Sequence, residues 1–339
     1  MTVRRPASDP RARRALVALL LAAVVALLAA LSIGSVAVPI DRLLAALAGN
    51  ADPLASSVLQ VRLPRALSAF AVGALLGLSG AILQALLRNP LADPYVLGLS
   101  GGAAVAALGA MALGASLFWM QVASAAGALA ALALLFVLAH RALYLRDALR
   151  GDEATTRVLL TGVMIAAFCT ALLSVILTLA PDAQLRSMMF WLLGDLGGAT
   201  DLTHALAALA VLVLVLWLAR AQARALNLML RGDAQAVTQG VDVAQRRRLL
   251  VVLAALATGT AVMLAGAVGF VGFVVPHLLR LAIGNDQRFL LPAAALAGGL
   301  MVLAADTAAR SLFAPIQLPV GVVTALIGVP VFLWLLQRR

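Results

Sequence analysis

Ten blocks of apolar residues, most of them long enough to cross a bilayer, punctuate this 339-residue chain. They lie near 15–35, 66–87, 95–114, 118–139, 158–179, 202–219, 249–267, 270–283, 289–305 and 320–336, and the eighth is short enough to share a turn with its neighbour. A helix rises about 1.5 Å per residue against a hydrocarbon core of about 30 Å, so roughly 20 apolar residues make one span. The chain is 64% apolar and 12% charged, where a soluble domain carries about 25% charged residues. An aqueous globular fold is therefore excluded. The expected fold is all-α: a polytopic membrane protein of about ten transmembrane helices, with a tail over 1–14 and one transmembrane domain over 15–339. The first block has a rival reading as a signal peptide, with a basic stretch from Arg4 to Arg14 and a cleavage-like Ser35-Val36-Ala37. Its apolar run is longer than a usual signal core, which favours a retained span.

The net charge of +11 comes from 25 basic residues that are all arginine. If the N-terminus is cytoplasmic and the chain alternates, twenty arginines fall on the cytoplasmic side and five (Arg42, Arg62, Arg65, Arg186 and Arg310) on the other. That bias is the one expected of membrane topology, with both termini cytoplasmic, and makes a nucleic-acid partner unnecessary. The lack of lysine has a second consequence. A P-loop needs its lysine on the nucleotide phosphates, so any ATP hydrolysis that drives this chain belongs to a partner.

Catalytic and metal chemistry find little purchase. Cys169 is the single cysteine, so no disulfide closes within the chain, and it reads as packing. His140, His204 and His277 are scattered and lack metal-ligand spacing, so no cofactor or metal site is implied. Acidic residues fall near block ends or in loops, whereas ion-coupled carriers keep such groups at mid-membrane. A secondary transporter remains the rival class, and an integral membrane enzyme stands third.

Four regions depart from apolar filler. Arg62-Leu63-Pro64-Arg65 reads either as interfacial anchoring by snorkelling arginines or as a docking spot for an acidic partner, and Arg310 after Asp306 supports the second. Gly73, Gly77 and Gly80, then Gly98, Gly101 and Gly102, have the spacing that lets membrane helices approach closely. Between them, Asn89-Pro90-Leu91-Ala92-Asp93-Pro94 breaks the chain in a tight turn. The polar stretch of about 220–248 predicts a short helix at the cytoplasmic face. Gly266-Ala267-Val268-Gly269-Phe270-Val271-Gly272, followed by Pro276-His277, predicts a broken helix needing protein around its exposed backbone.

Those regions, with Gly80-Ala81-Ile82-Leu83-Gln84, Phe190-Trp191-Leu192-Leu193-Gly194, Pro276-His277-Leu278-Leu279-Arg280 and Leu318-Pro319-Val320-Gly321-Val322-Val323-Thr324, resemble the permease family of iron–siderophore, haem and vitamin B12 ABC importers. The resemblance covers nearly the whole chain after the first block. It implies a homodimer of permeases in the bacterial inner membrane, two cytoplasmic P-loop ATPases and one periplasmic substrate-binding protein. By position, Arg62, Arg65 and Arg310 are implied to dock the binding protein. Arg231, Gly232, Asp233, Ala236 and Gly240 are implied to belong to the ATPase-coupling helix. Asn89, Leu91, Thr155 and Thr156 are implied to close the path at its cytoplasmic end. The expected function is import of an iron chelate or corrinoid, with no covalent chemistry on this chain.

Overall fold

A computed structural model describes residues 10–34, 38–49, 52–140 and 151–337. Among them run fourteen α-helices and no strand. In chain order they are α1 Pro10–Ser32, α2 Ile40–Leu47, α3 Pro53–Leu86, α4 Leu99–Ala112, α5 Leu117–Leu138, α6 Gly151–Leu179 and α7 Asp182–Leu192. Then follow α8 Leu202–Ala221, α9 Ala223–Met229, α10 Asp233–Thr238, α11 Val243–Ala265, α12 Val271–Ile283, α13 Gln287–Ser311 and α14 Val320–Gln337. A 3-10 turn, Pro94–Leu97, precedes α4. Among the described residues, seven helices are long and apolar enough to cross a membrane: α1, α3, α5, α6, α8, α11 and α13. The shorter apolar helices α4, α12 and α14 account for the other three expected blocks. The arginines of 1–9, Arg141, Arg146, Arg150, Arg338 and Arg339 lie outside the described residues, as does the side chain of Thr155.

Helix α3 is the axis of the molecule. Its most apolar stretch is 89% buried, against 17% for α1 and for α6. An all-round apolar helix belongs inside a bundle, and α3 packs against α1, α8, α11, α12 and α13. The glycines that the sequence spaced for close approach sit at these crossings. A methyl group added at Gly73 would strike the Gly298 carbonyl, and one at Gly80 the Gly272 carbonyl. Dispersion between touching backbones thus replaces the hydrophobic drive that lipid does not supply.

One expectation needs correction, and two others need filling out. Helix α3 begins at Pro53, not near 66, because Asp52 caps it: the Oδ1 of Asp52 accepts from the backbone N–H of Leu54 and of Ala55, at 3.1 and 3.2 Å. With proline at the first helical position this is a strong start, and it carries the helix through Arg62, Pro64 and Arg65. The polar stretch 220–248 carries the expected short helix and more besides. It holds the end of α8, both α9 and α10, and the first turns of α11. Helix α7 was not anticipated, since its polar start at Asp182 and Gln184 lowers its hydropathy below that of a span.

The predicted break is present. Helix α11 ends at Ala265, α12 starts at Val271, and Phe270 between them is left-handed at φ 68°. Its polar backbone is satisfied by protein. Tyr95 Oη accepts from Val268 N at 2.8 Å and donates to Val268 O at 2.9 Å, while Asp195 N donates to Ala265 O at 2.8 Å. Irregular backbone at membrane depth persists only with such partners.

Candidate functional site

The residues singled out in the sequence gather at opposite ends of the bundle. Arg65 and Leu86, near the two ends of α3, are separated by about 30 Å of helix rise. The first end is built by α1, α3, α13 and the chain after α13. Arg62 Nη1 donates to the carbonyls of Leu31 and Ser32 at 2.8 and 3.2 Å, closing the end of α1 onto α3. Arg65 donates through Nε and Nη2 to Asp306 Oδ1 at 3.0 and 2.8 Å, and through Nη1 to Gln317 Oε1 at 2.9 Å. Arg310, one turn after Asp306 on α13, places its Nε 3.6 Å from Asp306 Oδ2 and donates to the Ala30 carbonyl. Asp306 is 1% exposed. Two guanidinium groups, of Arg65 and Arg310, thus share one buried carboxylate, and with Arg62 beside them they line a cavity of about 230 Å³ with Val61, Pro315 and Gln317, leaving a net charge of about +2.

These arginines do not snorkel into water. They tie α1, α3 and α13 together, and Asp306 is the member that sequence reasoning passed over. Its signal was present, since an acid four residues before an arginine on one helix is a neighbour pair. Beside this cluster, sharing Pro315 and Gln317 with it, opens a cavity of about 630 Å³. Its wall combines Phe190 and Trp191 of α7, Met111, Met120 and Met263, and the polar groups Gln121, Arg186 and Asp195. Large apolar pockets with a few convergent polar groups, of about 300–1,000 Å³, are the ordinary form of small-molecule sites.

At the other end lie the turn after α3, the 3-10 turn and helices α9 and α10. Asn89 Oδ1 accepts from Leu91 N at 2.9 Å, an Asx turn that leaves Leu91 50% exposed. The chain then packs on α6, where a methyl group at Gly162 would strike the Val96 carbonyl. Helix α6 carries Thr155 and Thr156 in its first two turns, and Thr156 is exposed. Asp93 caps the 3-10 turn through Tyr95 N at 2.8 Å. Part of its surface stays open, yet the enclosing chain excludes most bulk water. This desolvation pushes its carboxyl up to about 6, against the opposing bond from Tyr95 N.

Helix α10 is bounded by two glycines in positive-φ conformations, Gly232 at 122° and Gly240 at 81°. Both positions are costly for residues with a Cβ. Its inner side consists of Asp233 and Ala236, at 6% and 0% exposure. Asp233 is ion-paired with Arg247 of α11, and Arg88 Nη2 stands 3.9 Å from its other oxygen. Arg231, Ala234, Gln235, Val237 and Thr238 face outward. The expected coupling residues therefore divide: Asp233 and Ala236 hold the helix in place, and the outward ones are free to meet a partner.

Comparison with known proteins fits this geometry. The chain is 42% identical over 287 residues to the hemin transport system permease HmuU of Yersinia pestis, covering 83% of each. It is 41% identical over 281 residues to the vitamin B12 import system permease BtuC of Serratia proteamaculans, covering 83% of this chain and 82% of that one. A solved metal-chelate type ABC transporter in an inward-facing conformation superposes with a TM-score of 0.83 at 28% identity, covering 97% of this chain and all of that one. The family model of FecCD transport proteins matches residues 20–338, so the chain belongs to the FecCD transport family, as a multi-pass permease subunit of the inner membrane.

Proposed function

We propose that this permease imports a metal chelate, either an iron complex of a siderophore or porphyrin or a cobalt corrinoid, from the periplasm into the cytoplasm. Two copies of the chain form the path, two cytoplasmic P-loop ATPases bind at α10, and a periplasmic binding protein docks on the arginine end. Both termini are then cytoplasmic. The single observation that carries this reading is the polarity of the bundle along α3. One end gathers three arginines, two of them paired with Asp306, beside a 630 Å³ aromatic and thioether-lined cavity, and the other a glycine-bounded helix with an outward face. A net positive end suits an acidic partner, and charge complementarity of this kind steers and orients docking more than it adds affinity. The permease contributes no bond-making step. It provides a wall whose helices shift between packed states when the ATPase dimer moves α10.

The test is reconstitution of the tagged chain, with the P-loop ATPase that co-purifies from its native membrane, into liposomes holding ATP. Uptake of haem, a ferric siderophore or cobalamin that needs both ATP and the binding protein is the expected result. Adding salt should weaken binding-protein stimulation only modestly, since these arginines are largely buried and are screened less than exposed charges. Uptake by the chain alone on an ion gradient would overturn the proposal.

A further inference from the structure

We propose that Asp233 is a positioning residue that ties the short helix α10 to α3 and α11 at once, so that a push on α10 moves both helices together. The inference rests on the reading of α10 as the ATPase contact. It starts from how little else holds α10. With six residues the helix has no stability of its own, and Asp233 and Ala236 are its buried side chains. Ala236 fits against the bundle but is a methyl group. Asp233 supplies the directional tie, with one oxygen on α11 and the other facing the residue just past the C-cap of α3.

Oδ2 pairs with Arg247, whose side chain is 6% exposed and belongs to the continuous helix α11. Oδ1 faces Arg88 Nη2 at 3.9 Å. Arg88 immediately follows the C-cap of α3 and is left-handed, at φ 50°. That conformation is unfavourable for a residue with a long side chain, and it turns the guanidinium toward α10. An acidic residue in a polar segment ordinarily reads as a solvated charge. Here the carboxylate is as buried as the core, and two cations flank it. Removing one partner from such a group is far costlier than losing a surface pair, so the three side chains move as a unit.

The experiment uses the reconstituted permease–ATPase–binding-protein complex and four variants: Asp233→Asn, Asp233→Glu, Arg247→Gln and Arg88→Gly. Each is made in a background with Gln235→Cys, whose outward position reports contact with the ATPase by crosslinking. In Asp233→Asn, Arg247→Gln and Arg88→Gly the crosslink should persist and ATP hydrolysis continue, while substrate moved per ATP falls about tenfold, a usual size for coupling between sites. Asp233→Glu should recover most of the loss. Arg88→Gly relaxes the left-handed backbone as it removes the guanidinium, so it keeps the test decisive should Asp233→Asn fail to fold. Unchanged transport per ATP in Arg88→Gly and Arg247→Gln, with the crosslink intact, overturns the tie and leaves the reading of α10 standing. No crosslink in the Gln235→Cys parent overturns that reading and the tie with it.

Discussion

Tyr95→Phe isolates the cost of the helix break between α11 and α12. The substitution keeps the ring and removes only the hydroxyl that both accepts from Val268 N and donates to Val268 O. Val268 is 1% exposed, so water has poor access to the two backbone groups left behind. A buried donor or acceptor stripped of its partner costs about 1–3 kcal/mol. Two of them on one residue, with some relaxation of the loop, give about 2–4 kcal/mol. That is a change of roughly 30- to 700-fold in the unfolding equilibrium, at about 1.4 kcal/mol per factor of ten. The assay is denaturant unfolding in detergent micelles followed by tryptophan fluorescence. Trp191 is a natural probe, since its carbonyl accepts from Ala267 N at 3.4 Å beside the break. The control is Thr170→Val, whose hydroxyl bonds only to Ala166 O of its own helix at 2.9 Å on an exposed face; about 0.5 kcal/mol or less is expected there. If Tyr95→Phe is as mild as the control, the break is held by something other than this hydroxyl and the reasoning is refuted.

Two further outcomes follow from the ends of the bundle. Asp306→Asn leaves the Arg65 and Arg310 guanidinium groups without their shared, buried counter-charge, and thermal unfolding in micelles should report a loss of about 3–5 kcal/mol. Adding Arg65→Gln should return part of that loss, because it removes one of the orphaned cations. Asp93 predicts a pH effect of unusual sign. Desolvation pushes its folded carboxyl up to about 6, above the usual carboxylate range near 4, so the native state binds the proton more tightly. Stability from this group therefore falls as pH rises from about 4 to 6, and the penalty is complete above that range, at up to about 3 kcal/mol. Asp93→Asn, which keeps an acceptor for Tyr95 N, should be more stable than the parent at pH 7 and should flatten the pH profile between 4 and 6.

Much of the architecture was legible because a bilayer imposes a single period and length. Each of the ten apolar blocks overlaps a helix, and the glycines at three- and four-residue spacing sit where helices touch. The misses share a cause: hydropathy reads where a helix enters lipid, not where it begins. Arg62 and Arg65 interrupt the apolar run, so α3 looked shorter than its capped start at Asp52 makes it. Helix α7 is half polar and lies beside the large cavity, and its Phe190-Trp191 pair was visible as a motif without the element that presents it. The partners of Asp306 and Asp233 were hidden for another reason. Each acid sits near a block end or in a polar stretch where an acid normally meets water, and only the folded chain brings the arginines of distant helices around it. Of the candidate residues, Arg62, Arg65 and Arg310 are drawn together by the fold, whereas Asn89, Leu91 and Thr156 share one end without a common centre.

The length of α3 has a mechanical meaning. Its 34 residues form a strut of about 50 Å, and hydrogen bonds along the axis make such a strut stiff against stretching. Arg62 and Arg65 are mounted about a third of the way along it, and Arg88 follows its foot. A tilt of about 5° about one end displaces the other by about 4 Å over that length, nearly the pitch of a helical turn. A strut of this kind carries a displacement of one end to the other with few intermediate contacts. Pro64 lies about a third of the way along it, where a missing backbone N–H leaves one point of give between the capped start and the rest of the rod.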